Sequence, residues 1–363
     1  MNIIAVVMAS FALLGAADRI LGNRFGLGKE FEKGFLLMGN LALSIIGMIV
    51  IAPLIADLLE PLFFLVSEGL HLDPSIILAS LFANDMGGAP LAAETALSEK
   101  MGKFNGLIVA SMMGCTISFT IPAALEVTEQ QIHKEVLLGF LCGIVTIPVG
   151  CMVAGLLIQM PLRQLLGNLL PLILFAVVIA VGLLLFPVLC VKVFSVFGIF
   201  IKILIIFGLG LGIWIFLTGM ELLPGLGTLE EGAMICVNAC VVMSGAFPLI
   251  FLVSKVFARP LAALGKGLRI TPVSAMGFLS TLATSLPTFE AMHQMDKKGI
   301  VLNAAFSISA AFLLADHLAF TMAYDAEYLF PMMAGKIISG IAAVFLALII
   351  YKRSYPEKGE ASV

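Results

Sequence analysis

Long runs without a charged residue alternate with short charged segments along the whole chain. The runs are 1–17, 34–56, 104–125, 136–162, 164–191, 193–220 with Lys202 inside it, 232–254, 300–324 with Asp316 and His317 inside it, and 328–351 with Lys336 inside it. Most are close to the ~20 apolar residues that a helix needs to cross a ~30 Å hydrocarbon layer. The pattern predicts an all-α polytopic membrane protein with about nine to eleven transmembrane helices.

Two further apolar segments, 74–98 and 271–292, are interrupted near their middles. Asn84-Asp85-Met86-Gly87-Gly88-Ala89-Pro90 interrupts the first, and Thr284-Ser285-Leu286-Pro287 interrupts the second. Glycine, proline and polar side chains at these places disfavour a continuous helix. We therefore predict two broken segments.

The chain is similar to itself at an offset of about 198 residues. The matched pairs include Asn40 with Asn238, Gly47 with Gly245, Asn105 with Asn303, and Ser111 with Ser309. One membrane domain, 1–363, then consists of a first helix and loop (1–30), repeat one (31–160), connecting helices (161–228), repeat two (229–351) and a cytoplasmic tail (352–363). Broken segments at corresponding places in two repeats predict a transporter site at the membrane midplane.

The positive charges predict how the chain is oriented. The loops at 18–33 and 255–269 each carry four Lys or Arg, and the tail carries Lys352, Arg353 and Lys358. The positive-inside rule makes these segments cytoplasmic, so the repeats are inverted and the N-terminus lies outside. This orientation requires both broken segments to be re-entrant hairpins. If the first crossed instead, Lys100 and Lys103 would lie inside, but later loops would be harder to place.

The composition excludes other classes of protein. Hydrophobic residues make up 61% of the chain and charged residues 12%, which fits neither a soluble domain nor a disordered one. A net charge of −3 gives no basic surface for nucleic acid. No cysteine pair, phosphate loop or metal-ligand spacing is present in the sequence, so we expect no metal or other cofactor. Its expected partners are the lipid bilayer and a small solute.

Asp85 is the strongest candidate for a binding residue, because a charged side chain inside the hydrocarbon costs free energy and is usually functional. With Asn84 beside it and the backbone carbonyls of Gly87 and Gly88 exposed by unwinding, it would form a cation site. The alternative is a structural role as the cap of a half-helix. Glu94 lies about one turn into the second half-helix and either lines the same cavity or lies near the interface.

The second broken segment offers Thr284 and Ser285 at its tip and Glu290, which has the same two interpretations as Glu94. Asp316 and His317 form a second charged group at membrane depth. They would bind a cation or relay a proton, or else form a hydrogen-bonded pair that fixes helix packing.

The remaining polar residues in the apolar runs are expected to be structural. The repeat-matched asparagines are interpreted as interhelical hydrogen-bonding groups. Lys202 and Lys336 lie within a few turns of a predicted boundary, so both are expected to extend their ammonium groups to the interface.

Several motifs resemble the ethanolamine permease family of the ethanolamine-utilisation system. They are Ala17-Asp18-Arg19-Ile20-Leu21, Phe31-Glu32-Lys33-Gly34-Phe35, Asn84-Asp85-Met86-Gly87-Gly88, Gly143-Ile144-Val145-Thr146-Ile147-Pro148, Glu221-Leu222-Leu223-Pro224-Gly225-Leu226, Gln294-Met295-Asp296 and Asp316-His317-Leu318. The chain departs from the family pattern at Thr284-Ser285-Leu286-Pro287, where Asn-Asn-Ile-Pro is expected, although hydrogen-bonding capacity is kept.

The resemblance implies a permease of the bacterial inner membrane, not an enzyme, which imports ethanolamine for a cytoplasmic ammonia-lyase pathway. The protonated amine would pair with a midplane carboxylate, and amide or hydroxyl groups would bind its alcohol. One alternative is a cation-coupled transporter of another small polar solute, such as an amino acid or nucleoside. Another is a membrane-embedded enzyme acting on lipid headgroups, with Asp316 and His317 as its acid–base pair.

Overall fold

The computed structural model describes residues 3–64, Ser67 and 72–355, which form helices and contain no strand. The helices are α1 Ile3–Ile20, α2 Leu27–Leu36, α3 Met38–Phe64, α4 Ser75–Leu81, α5 Gly88–Thr95, α6 Glu99–Val127, α7 His133–Leu157, α8 Leu162–Leu185, α9 Pro187–Thr218, α10 Leu229–Leu268, α11 Pro272–Ala283, α12 Leu286–Glu290, α13 Lys297–Ala310, α14 Asp316–Tyr324 and α15 Leu329–Ser354. Most of the predicted tail, with Lys358, lies outside the described residues.

Eight of the helical stretches in the described part of the chain are long and apolar enough to cross a membrane. They are α1, α2 with α3, and α6 to α10, together with α15 and the short turn before it. The continuous helix predicted over 300–324 is wrong, because the chain is extended or turned at 311–315 and forms two separate helices, α13 and α14. At Phe312 the backbone enters the left-handed region with φ 61°, and its N–H donates to the carbonyl of Thr281, 3.2 Å away.

Both broken segments return to the end at which they begin. In the first, the N–H of Leu97 donates to Oδ2 of Asp73 at 3.0 Å. In the second, the N–H of Thr271 donates to Oδ1 of Asp296 at 2.8 Å. Since each hydrogen bond joins the start of a segment to its finish, α4–α5 and α11–α12 form hairpins, as the re-entrant interpretation requires.

Polar contacts gather at two opposite ends of the helix bundle. At one end, Nζ of Lys103 pairs with Asp325 at 2.9 Å. At the other, Nζ of Lys297 pairs with Glu135 at 3.4 Å, and the hydroxyl of Tyr355 donates to Glu135 at 2.9 Å. In the orientation that the positive-inside rule predicts, the first of these is the outer end and the second is the inner end, and the two ends are named accordingly below.

The contact between α2–α3 and α10 is reciprocal. Gly34 lies against the backbone of Ser244, and its repeat counterpart Gly232 lies against Ile46, which is the counterpart of Ser244. A side chain on either glycine would collide with the facing helix. Such paired contacts are those that a two-fold relation between two units produces.

A second pair of contacts has the same reciprocal form. Gly47 in α3 lies against the carbonyl of Ile205 in α9, and its counterpart Gly245 in α10 lies against the carbonyl of Met8 in α1. Thus α1 packs on the second repeat as α9 packs on the first. These contacts support the inverted repeat, which remains a prediction, and they assign α1 and α9 equivalent places in it.

Asp296→Ala should destabilise the protein by about 1–3 kcal/mol, because buried donors lose their acceptor. The Asp296 carboxylate accepts hydrogen bonds from Thr271, Ser274 and Gly299. Thermal unfolding in detergent measures the loss, with the exposed Glu290→Ala on the same hairpin as control. An unchanged melting temperature would contradict the capping role.

The pH dependence of that stabilisation follows from the pKa of Asp296. Burial alone would raise this pKa, but hydrogen bonds from Thr271, Ser274 and Gly299 outweigh burial and hold it below its ordinary value of 3.8. A carboxyl whose pKa is lowered by folding stabilises the fold above its unfolded-state pKa and loses that contribution as the pH falls through the folded-state value. The difference between wild type and Asp296→Ala should therefore be constant near neutral pH and disappear only below about pH 4.

Candidate functional site

Three interruptions of helical structure meet near the centre of the bundle. Ala83 at the tip of the first hairpin, Cys115 in α6, and Ala311 and Phe312 between α13 and α14 form one buried cluster. The second hairpin joins them, because the carbonyl of Thr281 at the end of α11 accepts the N–H of Phe312. Where helices are interrupted, backbone and short polar side chains can approach a small solute.

The glycine pair of the first hairpin shapes the turn that carries Asp85. Gly87 has φ 110°, a conformation that L side chains rarely adopt, and a side chain at Gly88 would collide with the carbonyl of Phe82. The carbonyl of Gly87 accepts the N–H of Leu91 at 3.0 Å and so begins α5. The carbonyl is therefore part of the helix, and the predicted exposure of this group to a cation is wrong.

Asp85 itself lies in the short 3₁₀ turn Asn84–Met86. The N-terminus of α5 has Gly87 as its cap residue, with no side-chain hydrogen bond. The described structure therefore does not support the capping interpretation of Asp85. Instead, Oδ1 of Asp85 faces Nε2 of His317 at 4.0 Å, and 17% of the Asp85 side chain remains exposed.

Lys336 is the central residue that sequence reasoning missed. Its side chain was expected to extend to the interface, but only 1% of the residue is exposed. Nζ donates to the carbonyl of Ser111 at 2.6 Å and lies 3.0 Å from Nδ1 of His317. The available signal was depth: Lys336 lies two turns into α15, roughly 10 Å along its axis, which is far for a lysine side chain to bridge. Lys202 is exposed near the middle of α9.

Asp316 and His317 face different surroundings, as adjacent residues on a helix do. His317 is 1% exposed and contacts Lys336, with its ring 5.3 Å from that of Phe312. Asp316 is partly exposed and lines a groove of about 410 Å³ together with Thr284 and Lys33. Asp316 also lies close enough to Asp85 for the two carboxylates to repel each other.

Three buried polar side chains on the described elements that form this centre have no hydrogen-bond partner. Among the described residues, neither side-chain atom of Asn84 has a hydrogen-bond partner, nor do the hydroxyls of Ser285 and Thr321. All three residues are fully buried. Thr321 lies one turn after His317 on the same face of α14. Because unpaired buried polar groups are costly, such positions are typical of sites that bind water or a solute.

The two predicted glutamates lie apart from this centre. Glu94 is exposed in the last turn of α5, where it lines a second groove of about 350 Å³ with Tyr324 and Glu231. This groove opens at the outer end, whereas the groove at Asp316 opens at the inner end. The nine-residue α14 separates the two grooves, with Asp316 at one end and Tyr324 at the other. Glu290 is exposed at the end of α12 and is not brought to Asp85.

The repeat-matched asparagines of α6 and α13 have the packing role that was predicted. Nδ2 of Asn105 donates to Oγ of Ser75 at 2.8 Å, and Nδ2 of Asn303 donates to the carbonyl of Ser274 at 2.8 Å. Each therefore ties a hairpin to the helix that follows it. The side chain of Asn40 lies outside the described part of the chain.

Among the described residues, no group of three or more His, Cys, Asp or Glu residues could hold a metal ion.

Comparisons with known proteins give one consistent result. The family model described as "Ethanolamine utilisation protein, EutH" matches residues 1–350. The chain is 42% identical over 352 residues to "Probable ethanolamine permease EutH" of Listeria monocytogenes, covering 97% of this chain and 94% of the relative. It is 37% identical to the protein of the same name from Escherichia coli (96% and 95% covered) and 36% identical to "Uncharacterized protein YxeR" of Bacillus subtilis (95% and 93% covered). No solved structure matches it significantly.

Asn84→Ala should leave the stability of the protein unchanged or slightly raised, because it removes a buried amide that has no partner. Asn105→Ala is the matched control and should cost about 1–3 kcal/mol, since Asn105 is hydrogen-bonded to Ser75 and Asn168. Thermal unfolding of the two variants in detergent, without added solute, gives the comparison. Equal losses would mean that Asn84 has a structural role like that of Asn105.

Proposed function

The chain belongs to the ethanolamine utilisation protein EutH family, and from that premise we propose that it is a permease that carries ethanolamine across the bacterial inner membrane. It is a multi-pass membrane protein with eight candidate spans among its described residues. Ethanolamine is a primary amine, so most of it is protonated near neutral pH, as an alkylammonium side chain is. The protonated form does not cross a hydrocarbon layer unaided.

The observation that carries the proposal is the charge balance at the centre of the bundle. Asp85 and Asp316 contribute two carboxylates there, and Lys336 contributes one ammonium. With both carboxyls ionised and His317 neutral, the group has one negative charge in excess, and a bound ammonium favours that ionised state. A solute with a single positive charge would neutralise that excess inside a medium of low dielectric constant.

The hydroxyl of ethanolamine would be held by the unpaired polar groups. A hydroxyl both donates and accepts, so it needs one acceptor and one donor. The carbonyl and amide of Asn84 offer both, and the hydroxyls of Ser285 and Thr321 are further candidates. Solute binding would then satisfy groups that the protein alone leaves unpaired.

Alternating access would occur around α14, which lies between the two grooves. The inner groove reaches Asp316, and the outer groove reaches Tyr324 at the opposite end of the same helix. At the outer end, Nζ of Lys103 bridges Glu99 at 2.6 Å and Asp325 at 2.9 Å. This bridge holds the end of α14 against α6, and we interpret it as a latch that keeps the outer path closed. The reciprocal contacts of the two repeats support such a movement.

The two alternative functions find less support in the site. A solute with a carboxylate, such as an amino acid, would favour an arginine, and the described residues lining the inner groove include none. An acid–base pair of a lipid enzyme would need Asp316 and His317 to face one substrate atom. His317 instead contacts Lys336 while Asp316 faces the groove.

Asp85→Asn should abolish uptake of radiolabelled ethanolamine into proteoliposomes, with a loss of about a hundredfold or more, because the amide cannot neutralise a buried ammonium. Glu94→Gln is the matched control: it makes the same change in the same hairpin but at an exposed position, and it should retain most of the uptake. Uptake should be measured at acidic pH, where leak of the neutral amine is smallest. Wild-type rates in Asp85→Asn would refute the assignment of this residue.

Asp325→Asn should open the outer path more often, because Lys103 keeps only Glu99 as a partner. A partly exposed ion pair contributes up to about 1 kcal/mol, so the open population should rise by at most about fivefold. The buried thiol of Cys115 reports the opening: its labelling by a membrane-impermeant maleimide from outside should accelerate several-fold. Glu327→Gln, a neighbouring exposed carboxylate, is the control. Unchanged labelling of Cys115 would contradict the latch.

A further inference from the structure

We propose that Lys336 makes the central site selective for singly charged amines over doubly charged ones. The inference rests on the proposed function, because it concerns which solutes the same site accepts. It makes Lys336 a positioning and specificity residue that acts on the solute through His317 and Asp85.

The ammonium of Lys336 is held in place from several directions. Its neighbour Gly335 packs directly against the carbonyl of Gly150, so α15 lies very close to α7. Nζ is tied to the carbonyl of Ser111 in a π-wound part of α6 and to the ring of His317. With 1% of the residue exposed, the ammonium has no route to water in this arrangement. Its positive charge is therefore a fixed part of the site.

The ring of His317 transmits this charge toward Asp85. Because an ammonium can only donate, Nδ1 of His317 must accept from Lys336, and the ring proton is therefore on Nε2. Nε2 is the atom that faces Oδ1 of Asp85 at 4.0 Å. A second ring proton on Nδ1 would point at the ammonium, so Lys336 keeps the imidazole neutral and its Nε2–H directed at Asp85.

The selectivity for singly charged amines follows from the net charge of the site. The carboxylates of Asp85 and Asp316 and the ammonium of Lys336 together carry one negative charge, which one bound positive charge neutralises. A doubly charged amine of similar length would leave an unpaired positive charge in a desolvated site, which is strongly unfavourable. Without Lys336 the two carboxylates would match a dication instead. The thiols of Cys115 and Cys151 also lie near Lys336. A thiol in an apolar interior stays protonated, so they do not alter the count.

The test compares two competitors of equal length in proteoliposomes that take up radiolabelled ethanolamine. 3-Amino-1-propanol carries one ammonium group. In 1,3-diaminopropane, a second ammonium group stands in place of the hydroxyl. In wild type, the diamine should compete at least tenfold more weakly than the amino alcohol. The ratio of the diamine's inhibition constant to that of the amino alcohol measures this preference. In Lys336→Met, which removes the charge, this ratio should fall at least tenfold or reverse. Lys336→Gln keeps a donor for His317 but lacks the charge, and it should behave like Lys336→Met.

Controls separate charge selectivity from folding. Lys202→Met removes an exposed lysine of α9 and should leave the ratio at its wild-type value, and Lys336→Arg should preserve the preference for the amino alcohol. The ratio does not depend on how much protein inserts. Lower uptake by Lys336→Met and Lys336→Gln with an unchanged ratio would show a structural role only and overturn the proposal.

Two outcomes for the wild type distinguish the proposals from each other. Uptake of ethanolamine without discrimination between the two competitors would leave the permease proposal standing and refute the role of Lys336. If the wild type takes up no ethanolamine, the permease proposal fails. The Lys336 proposal is then tested by thermal stabilisation of the purified wild type and Lys336→Met by the two competitors, and it is overturned if their relative effect is the same in both proteins.

Discussion

A lysine ammonium buried at the centre of a membrane protein must be hydrogen-bonded and electrically balanced, and the central region is arranged around that requirement. The carbonyl of Ser111 and the ring of His317 accept from Lys336, and Asp85 faces the other side of the ring. His317 can occupy this place because the chain breaks between α13 and α14. The break, the glycine turn at Asp85 and the close approach of α7 to α15 therefore support one charged group.

Reciprocal contacts support the predicted two-fold relation of the repeats, but the charged residues do not follow it. Met38 and its counterpart Cys236 contact each other directly, with the thiol of Cys236 donating to the carbonyl of Met38 at 3.5 Å. Residues at corresponding positions of two repeats that contact each other in this way lie near a two-fold axis. Yet the positions one repeat before Asp316, His317 and Lys336 hold Ser118, Phe119 and Leu138. The two repeats would thus provide a symmetrical frame for movement, with Asp85 supplied by one and the other charges by the second.

Sequence reasoning located the apolar spans and the two hairpins and selected Asp85 as a candidate, because charge-free runs and glycine or proline at membrane depth have direct physical meanings. It could not locate the break at 311–315, since that stretch contains neither glycine nor proline and Phe312 adopts a conformation unusual for its type. The break is set by pairing with the end of α11, a contact between distant parts of the sequence. Lys336 was misassigned because the sequence shows its depth but not its surroundings: the ammonium is enclosed by α6, α7 and α14, which are distant from it in the sequence.

The most direct test of the account is a structure of the protein determined at high resolution with ethanolamine bound. The account predicts the ammonium of the ligand within about 2.7–2.9 Å of a carboxylate oxygen of Asp85 or Asp316, with its hydroxyl at Asn84 or Ser285. Lys336 would remain bonded to His317 and Ser111. Ethanolamine bound instead in the outer groove beside Glu94, with the centre unchanged, would contradict it.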